Sequence, residues 1–363
     1  MKMVTPIEDL LFSLKNQKKN CFVSKHVDWN EFDKPVSIVR KPVNKAQLQK
    51  IIYVLKKHEH NFLLSVVNKH KNVISFLLDP LVNPCPKLSP ITNNFSNKQK
   101  LSFTVECLPV KSQNRLKTHD DLPDLAEVAC LIHFEELACL VSEVFRLDCN
   151  FKLLVESQAY GKLFGMPKIT IDNFNNRLNT LSKSLIKNKR VNLIDWDREL
   201  CKLPNFWQEV KQEKENLIKF IDTNDQEVIN ELKSIFPTIF MSIKSKDNDT
   251  KLYMDTLSMS QALKLHAERA KKITINIMAF NRTRKRLEDR LNLFPNDQRG
   301  TLTPAQDKWA FFAIGPWNKL YPHHGVGVLN TKNNQVSIHY WKNLSQISNN
   351  MSTKYLYYST INI

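Results

Sequence analysis

Apolar residues recur along this chain at helical spacing in several long segments. The segments whose apolar positions would form one face of a helix are residues 44–58, 172–186, 205–235 and 258–290. A further helix is predicted to begin near Pro123, because proline suits a first helical turn and Asp121 can act as the N-cap residue. The pattern therefore predicts a protein with long amphipathic helices.

Short apolar and β-branched runs predict strands between and after these helices. The predicted strands are residues 102–105, 151–155, 301–304, 309–314, 326–329 and 335–341. Residues 73–78 form an apolar run that fits either a strand or a buried helix. Because helices and strands alternate, we expect an α/β fold with a central mixed, largely parallel sheet flanked by helices.

A segment rich in proline, asparagine and serine interrupts the pattern at residues 79–100 and is typical of a linker. We therefore expect an N-terminal helical or accessory region at residues 1–95. An α/β domain would follow at residues 96–345, and residues 346–363 would form a C-terminal tail. No internal repeat is apparent in the sequence.

Composition restricts the kinds of phosphate site that the sheet can carry. Apolar residues make up 42% of the chain and charged residues 25%, which is ordinary for a folded protein. Only 6 glycines occur, and none belongs to a GxGxxG or GxxxxGK[ST] array. Such arrays let the backbone approach a phosphate closely. The expected sheet is therefore Rossmann-like but has no glycine-rich loop.

The net charge of +17 is spread along the chain, and its densest cluster, residues 282–290, also contains Glu288 and Asp289. A lysine-rich solvated surface is favoured over a nucleic-acid-binding face, which remains an alternative. The 7 cysteines include no CxxC pair, which argues against a disulfide framework or a structural zinc site. No signal peptide or long apolar run is apparent, so we expect a cytoplasmic protein without membrane contact.

Polar residues follow the predicted strand at residues 102–105, where open α/β sheets bind ligands. Lys111 could pair with a phosphate or carboxylate, or act as a base if burial lowered its pKa. Asn114 and Arg115 lie in the same loop. The alternative for Lys111 is an ordinary exposed lysine.

Three carboxylates are further candidates. Asp124 and Glu127 suit the positive end of a helix dipole, but one of them could hold a substrate amine or orient Lys111. Glu156 directly follows the predicted strand at residues 151–155, where a site residue and a polar turn are equally compatible with the sequence.

Basic residues and two adjacent histidines form the last group of candidates. Arg299 and Lys308 precede a turn that contains His323 and His324. Adjacent residues of an extended chain face opposite directions, so the two histidines are poor joint metal ligands. His324 could transfer protons near neutral pH, or be a structural histidine in a tight turn. A HExxH motif is absent, and we expect no metal.

Taken in order, these motifs resemble the pyoverdine/dityrosine biosynthesis family, which includes the isocyanide (isonitrile) synthases. The matching segments are residues 103–115, 122–127, 151–165, 299–304 with Lys308, and 321–325. Several positions depart from the family pattern. Gln113 replaces a proline, Glu156 and Ser157 replace Asp and Gly, Thr303 replaces a histidine, and His323-His324 replaces Trp-His.

The resemblance implies an enzyme of secondary metabolism that condenses the amine of tyrosine or tryptophan with ribulose 5-phosphate. The C2 carbon of this co-substrate would become the isonitrile carbon, and no metal or nicotinamide cofactor would be needed. A downstream iron/2-oxoglutarate oxygenase or cytochrome P-450 would be the pathway partner. The alternative is a related enzyme of N-formyl amino acid, dityrosine-type biosynthesis with an altered substrate.

The resemblance also suggests roles for the candidate residues. We expect Lys111, Arg299 and Lys308 to hold anionic groups or assist imine formation. Carboxylates would bind the amine or move protons, and the candidates are Asp124, Glu127 and Glu156. His324 would act as the acid and base. Asn114 and Arg115 would bind substrate, with Asn114 orienting a substrate oxygen.

Overall fold

The computed structural model describes residues 10, 45–86, 100–114, 117–243, 259–291, 294, 297–302, 308–318, 320–330, 333–344 and 355–357. The helices in these ranges are α1 Lys45–Val67, α2 Val73–Leu77, α3 Leu125–Phe145, α4 Ser157–Leu163, α5 Lys168–Leu185, α6 Trp196–Cys201, α7 Phe206–Asp222, α8 Gln226–Phe240 and α9 Met259–Leu291. The strands are β1 Lys100–Glu106, β2 Asp148–Val155, β3 Val191–Asp195, β4 Gln298–Thr301, β5 Trp309–Ala310, β6 Val326–Asn330, β7 Gln335–His339 and β8 Tyr355–Tyr357.

The central sheet has five parallel strands in the order β3-β2-β1-β4-β5. Phe103 in β1 lies opposite Phe151 on one side and Gln298 on the other. This arrangement confirms the predicted α/β class. The antiparallel strands do not extend the central sheet, because they form a separate three-stranded sheet in the order β7-β6-β8.

Helices cover both faces of the parallel sheet, as the βαβ crossovers of such sheets require. Successive residues of β2 point to opposite faces. Leu153 packs in a core with α1, α3 and α5, whereas Leu154 packs in a core with α6 to α9. Both leucines are almost completely buried. Burial on both faces explains why the central strands read as apolar runs rather than as alternating patterns.

The direction in which the chain adds strands to the sheet reverses between β1 and β4, although these two strands are parallel. From β1 the chain builds outward to β2 and β3, then returns to add β4 and β5 on the other side of β1. In open α/β sheets, the helices on either side of such a reversal diverge and leave a crevice at the carboxyl ends of the strands. The fold therefore indicates where a ligand site should lie.

A close approach between β6 and the start of α3 joins the small sheet to the main body. A Cβ atom added to Gly327 would lie 2.2 Å from the backbone nitrogen of Ala126 and 2.5 Å from the carbonyl carbon of Leu125. The backbone amide of Gly327 donates a hydrogen bond to Asp124 Oδ1 at 3.1 Å. Only glycine allows this contact, so Gly327 fixes the small sheet against α3.

Several predicted boundaries were wrong, for local reasons. Asp124, not Asp121, is the N-cap residue of α3, and Glu127 completes a capping box with it. The predicted helix at residues 205–235 is split into α7 and α8, because Asn224 adopts a positive φ of 62° between them. The apolar run at residues 73–78 could be either a strand or a buried helix from its sequence, and residues 73–77 form the buried helix.

Some strands near the C-terminus have other bounds than predicted, and one edge strand of the five-stranded sheet was missed. β4 begins at Gln298, and residues 303 and 304 lie outside the described ranges. β5 ends at Ala310 rather than at residue 314. β3 was not predicted, because its residues mix polar and apolar side chains at the sheet edge.

The predicted domain division stays a prediction, since its boundary at residues 95 and 96 lies outside the described residues. Helix α1, from the predicted accessory region, packs in the same core as α3. A buried pair joins these helices, with Glu59 Oε1 2.7 Å from His133 Nδ1. Within the described ranges, no helix is both long enough and apolar enough to cross a membrane.

Candidate active site

A cavity of about 230 Å³ lies at the carboxyl ends of β1, β2 and β4, where the strand order predicts a crevice. Glu106 at the end of β1, residues 107 and 109–113 after it, and Glu156 directly after β2 line the cavity. Tyr321, His323 and His324 from one turn, and Ser242, which follows α8, also line the cavity. The cavity therefore collects residues that are far apart in the sequence.

One end of the cavity carries two carboxylates that share an arginine. Glu106 is the last residue of β1, and Glu156 directly follows β2. Arg284 of α9 forms an ion pair with Glu156 through Nη1, and its Nη2 lies 3.4 Å from Glu106 Oε1. Lys308 Nζ lies 2.7 Å from the same oxygen of Glu106. Two cations thus balance two carboxylates at this acidic end.

The charges around Glu106 keep it ionised. Burial alone would raise the pKa of Glu106, but the positive charges of Arg284 and Lys308 outweigh burial and lower it below the ordinary glutamate value. At neutral pH the acidic end therefore presents a carboxylate whose charge is already neutralised by protein groups.

The two adjacent histidines form another part of the cavity lining, which we call the imidazole end. His323 and His324 belong to a single turn of 3-10 helix, and their ring centroids are 3.9 Å apart. Within the described part of the chain, neither Nδ1 atom has a hydrogen-bond partner. Burial, reinforced by Lys117 and Lys111, lowers the pKa of His323 to about 3. The pKa of His324 is shifted in the same direction, mainly by burial. Both rings are therefore neutral at pH 7.

Lys111 lies behind the histidine turn and holds it in place. Its Nζ atom is 3.1 Å from Asp124 Oδ2 and 2.9 Å from Glu127 Oε1. The same ammonium group donates hydrogen bonds to the carbonyls of Pro322 at 2.8 Å and Gly325 at 3.0 Å. Burial would lower the pKa of Lys111, but the two carboxylates raise it. Lys111 is a charged residue that positions the turn.

Asp124 and Glu127 serve the same junction and do not border the cavity. Asp124 Oδ1 accepts hydrogen bonds from the amides of Ala126 at 2.7 Å and Gly327 at 3.1 Å. Glu127 Oε2 accepts from the amide of Asp124 at 2.9 Å. Burial raises the pKa of Glu127 to about 8. Asp124 and Glu127 therefore orient Lys111. The sequence had suggested this role for one of the two carboxylates, beside the binding of a substrate amine.

The remaining candidate residues are dispersed. Asn114 is turned away from the cavity, and its side-chain amide donates to the carbonyl of Met241 at 2.7 Å. Arg299 is exposed on β4 and contributes to the lowered pKa of Glu106. Arg115 and Thr303 lie outside the described residues. Of the predicted set, Glu156 and His324 therefore border the cavity, with Lys308 linked to it through Glu106 and Lys111 forming part of its wall.

Sequence reasoning missed Glu106, Arg284 and Lys117 as site residues. Glu106 carried the same signal as Glu156, since both are carboxylates at the end of an apolar strand. Arg284 was noticed only as part of the basic cluster at residues 282–290. Nothing in the local sequence marks Lys117, which is buried and 3.2 Å from Ser242 Oγ.

The basic cluster itself is largely paired with acids. Arg282 contacts Glu231 at 2.5 Å, and Arg286 contacts Glu209 at 3.0 Å. Arg284 forms ion pairs with Glu156 and Glu106, so these three arginines are neutralised within the fold. Among the residues that the structure places, no group of three His, Cys, Asp or Glu side chains could hold a metal ion.

Comparisons with known proteins agree with this architecture. Residues 91–339 match the sequence profile of a family described as pyoverdine/dityrosine biosynthesis protein. No curated protein sequence matches the chain. The crystal structure of the PvcA protein from Pseudomonas aeruginosa has a similar fold, with a TM-score of 0.50 and 15% sequence identity. The alignment covers 89% of this chain and 96% of that protein. The chain therefore belongs to the pyoverdine/dityrosine biosynthesis protein family.

Proposed function

We propose that this biosynthetic enzyme is an isonitrile synthase that joins the amine of tyrosine or tryptophan to ribulose 5-phosphate. One observation carries the proposal. A single cavity is lined by two carboxylates, Glu106 and Glu156, and by two neutral imidazoles, His323 and His324. Membership of the family supports a biosynthetic reaction at this site.

The acidic end suits the amino group of the amino acid. Glu106 and Glu156 can accept hydrogen bonds from it, while Arg284 and Lys308 already neutralise their charge. An ammonium ion gains little from carboxylates that are already neutralised, so this environment favours the neutral amine. The neutral amine is the form that attacks the C2 ketone, and loss of water then gives the imine.

The imidazole end suits the later proton transfers. Fragmentation of the sugar requires a group that accepts a proton from carbon or oxygen and returns one to the leaving fragment. His324 is neutral and borders the cavity, so it can begin the cycle as the base. The C2 carbon remains on nitrogen as the isonitrile carbon after its bonds to C1 and C3 break. C1 leaves as formaldehyde, and its hydroxyl proton is transferred to the departing three-carbon fragment that carries the phosphate.

The further parts of the proposal rest on the resemblance to isonitrile synthases. The reaction would need no metal or nicotinamide cofactor and would occur in the cytoplasm. An iron/2-oxoglutarate oxygenase or a cytochrome P-450 would then use the isonitrile product.

An N-formylating, dityrosine-type reaction is the second candidate. The departures from the isonitrile synthase pattern at Glu156 and Thr303 favour it. Replacing a histidine with threonine removes one acid and base, which could stop the reaction before elimination is complete.

A labelled-substrate assay tests both candidates. The purified protein is incubated with tyrosine or tryptophan and ribulose 5-phosphate carrying carbon-13 at C2, and products are analysed by mass spectrometry. We expect an isonitrile that retains the label. A labelled formamide that forms directly would establish the second candidate instead. If none of the twenty amino acids, tested in the same way, gives a labelled product, both candidates are wrong.

A matched pair of variants ties the activity to the cavity. Glu156→Gln keeps the size of the side chain but removes the charge beside Arg284, and we expect product formation to fall by at least 100-fold. Glu209→Gln changes the same residue type on α7, away from the cavity, and should retain activity. Equal activities in the two variants would show that the reaction occurs elsewhere.

A further inference from the structure

Lys117 is a buried cation, and none of the described residues provides an acidic partner for it. Its side chain is 6% exposed, and its Nζ atom donates to Ser242 Oγ at 3.2 Å. Within the described part of the chain, no carboxylate lies within ion-pair distance of it. Lys111, six positions earlier, contacts two carboxylates. A buried ammonium without a counter-ion is costly to the fold, so its retention calls for a partner of opposite charge.

Unpartnered polar atoms lie in the cavity wall beside this lysine. They are Gln113 Oε1, His323 Nδ1 and His324 Nδ1, and each is buried without a hydrogen-bond partner among the residues described. Ser242, which accepts from Lys117, borders the same cavity. Buried polar groups in folded proteins are nearly always hydrogen-bonded, so this corner is built to bind a polar ligand.

The chemistry of the corner selects the ligand. Lys117 supplies a positive field that favours an anion. The Gln113 oxygen accepts hydrogen bonds, and each neutral imidazole offers one donor and one acceptor. An anion that also carries hydroxyl groups satisfies both demands, whereas a simple carboxylate has no hydroxyl to donate. Glu106 and Glu156 disfavour an anion at the acidic end, so the corner beside Lys117 is the better place for the anion.

We propose that Gln113 and His323, in the field of Lys117, form a subsite that binds the phosphate end of a phosphorylated sugar. This inference rests on the proposed function, because it orients the sugar phosphate relative to the amino acid. Lys117 does not line the cavity itself. It donates to Ser242, which does, and is therefore a residue that positions the phosphate through its charge and not by direct contact. His324, next in the chain, stays available for proton transfer.

Phosphate binding tests the subsite without any turnover. Isothermal titration calorimetry at pH 7 measures the Kd of inorganic phosphate for the full chain and for Lys117→Met, which keeps the length of the side chain. We expect at least ten-fold weaker binding in Lys117→Met. Gln113→Leu should weaken phosphate binding several-fold. Lys202→Met removes the same charge from an exposed lysine paired with Glu199 and should bind phosphate normally.

Two results would overturn the proposal. One is an unchanged phosphate Kd in both Lys117→Met and Gln113→Leu. The other is an equal loss in Lys202→Met, which would show that only the net charge matters. Tyrosine, titrated in parallel, should bind wild type and Lys117→Met equally. A selective loss of tyrosine binding would assign the corner to a carboxylate and contradict the phosphate assignment.

The pH dependence gives a signature that a purely structural lysine would not produce. Burial lowers the pKa of Lys117 to about 8. Phosphate affinity of the wild type should therefore fall as pH rises through about 8, because the lysine loses its charge. Lys117→Met should show no such fall. The groups that face this corner and titrate well below pH 8 are His323 and His324, which stay neutral over the range.

Kinetics separate this inference from the proposed function. If phosphate binds as expected but no labelled isonitrile forms, the subsite stands and the reaction is wrong. If isonitrile forms, Lys117→Met should raise the KM for ribulose 5-phosphate at least ten-fold and change kcat less than three-fold. An unchanged KM would contradict the subsite. Thermal denaturation serves as the folding control, since removing an unpaired buried charge should not lower the Tm.

Discussion

Lys111 and Lys117 are two buried lysines of one loop that carry their charge in different ways. Lys111 contacts Asp124, Glu127 and two carbonyl groups, so its ammonium group is fully used within the fold. Among the residues that the structure places, the side chain of Lys117 has the Ser242 hydroxyl as its one hydrogen-bond partner. The first arrangement stabilises a turn, and the second leaves a charge available to a ligand.

The use of Lys111 within the fold leads to a prediction at the residue scale. Lys111→Met leaves Asp124 and Glu127 buried without their cation, and we expect the free energy of unfolding to fall by about 3–5 kcal/mol. Urea denaturation followed by circular dichroism measures this change. Lys202→Met is the exposed control and should change stability by less than about 0.5 kcal/mol. A stable Lys111→Met protein would show that the cluster contributes little to the fold.

At the scale of elements, the contact between β6 and α3 decides where the histidine turn lies. β6 follows that turn directly, and Gly327 holds β6 against the first turn of α3. The capping box of α3 supplies the carboxylates that reach Lys111. One junction therefore joins the small sheet, the helix start and the wall of the cavity.

Gly327→Ala tests this junction. The new methyl group would lie 2.2 Å from a backbone nitrogen, so β6 must move away from α3, and we expect a loss of roughly 3 kcal/mol. The hydrogen bond from Gly327 to Asp124 would be lost as well. Gly165→Ala is the matched control. Its φ of 71° is strained for alanine, but no atom lies within 4 Å of the added group. Similar losses in both variants would contradict a role for close packing.

Helices were predicted better from the sequence than the edges of the sheet. The apolar spacing of α1, α5 and α9 extends over many residues and gives a strong local signal. β3 and β5 are short, and their pairing is decided by neighbours that are distant in the sequence. The Asp124 cap did have a local signal, the glutamate three residues later, although Pro123 drew the prediction toward Asp121.

At the scale of the whole molecule, the site depends on the sheet topology. Glu106 and Glu156 end neighbouring parallel strands, so their proximity follows once the pairing is known. Arg284 reaches them from a helix on one face, and His324 from the turn before the small sheet. No local pattern joins these segments. The sequence could therefore indicate the edge of the sheet that carries the site, but not the partners assembled there.

The buried histidines predict how the whole protein responds to acid. The pKa of His323 is about 3 in the folded protein and near 6.5 when unfolded, and His324 is shifted in the same direction. Between these values the unfolded state binds more protons, so stability falls as the pH falls. The free energy of unfolding can fall by at most about 1.4 kcal/mol per pH unit for each histidine.

Urea denaturation at pH 7 and pH 5 measures this dependence. The double variant His323→Asn, His324→Asn should lose less stability between these pH values than the wild type does. Glu127 acts in the opposite direction, because burial raises its pKa to about 8, and the comparison between proteins removes its contribution. An equal loss in both proteins would show that other groups control the acid response.

The strand order also sets the sequence of events during synthesis. β1 can pair with β2 soon after both leave the ribosome, but its other neighbour, β4, comes much later. Thr104 and Asp297, which are hydrogen-bonded across these elements, are 193 positions apart. Until β4 arrives, one apolar edge of the central strand stays unpaired, and open edges of this kind promote aggregation. Nascent chains that stop before β4 should therefore depend on chaperones, and soluble yield should depend more on the rate of translation than on final stability.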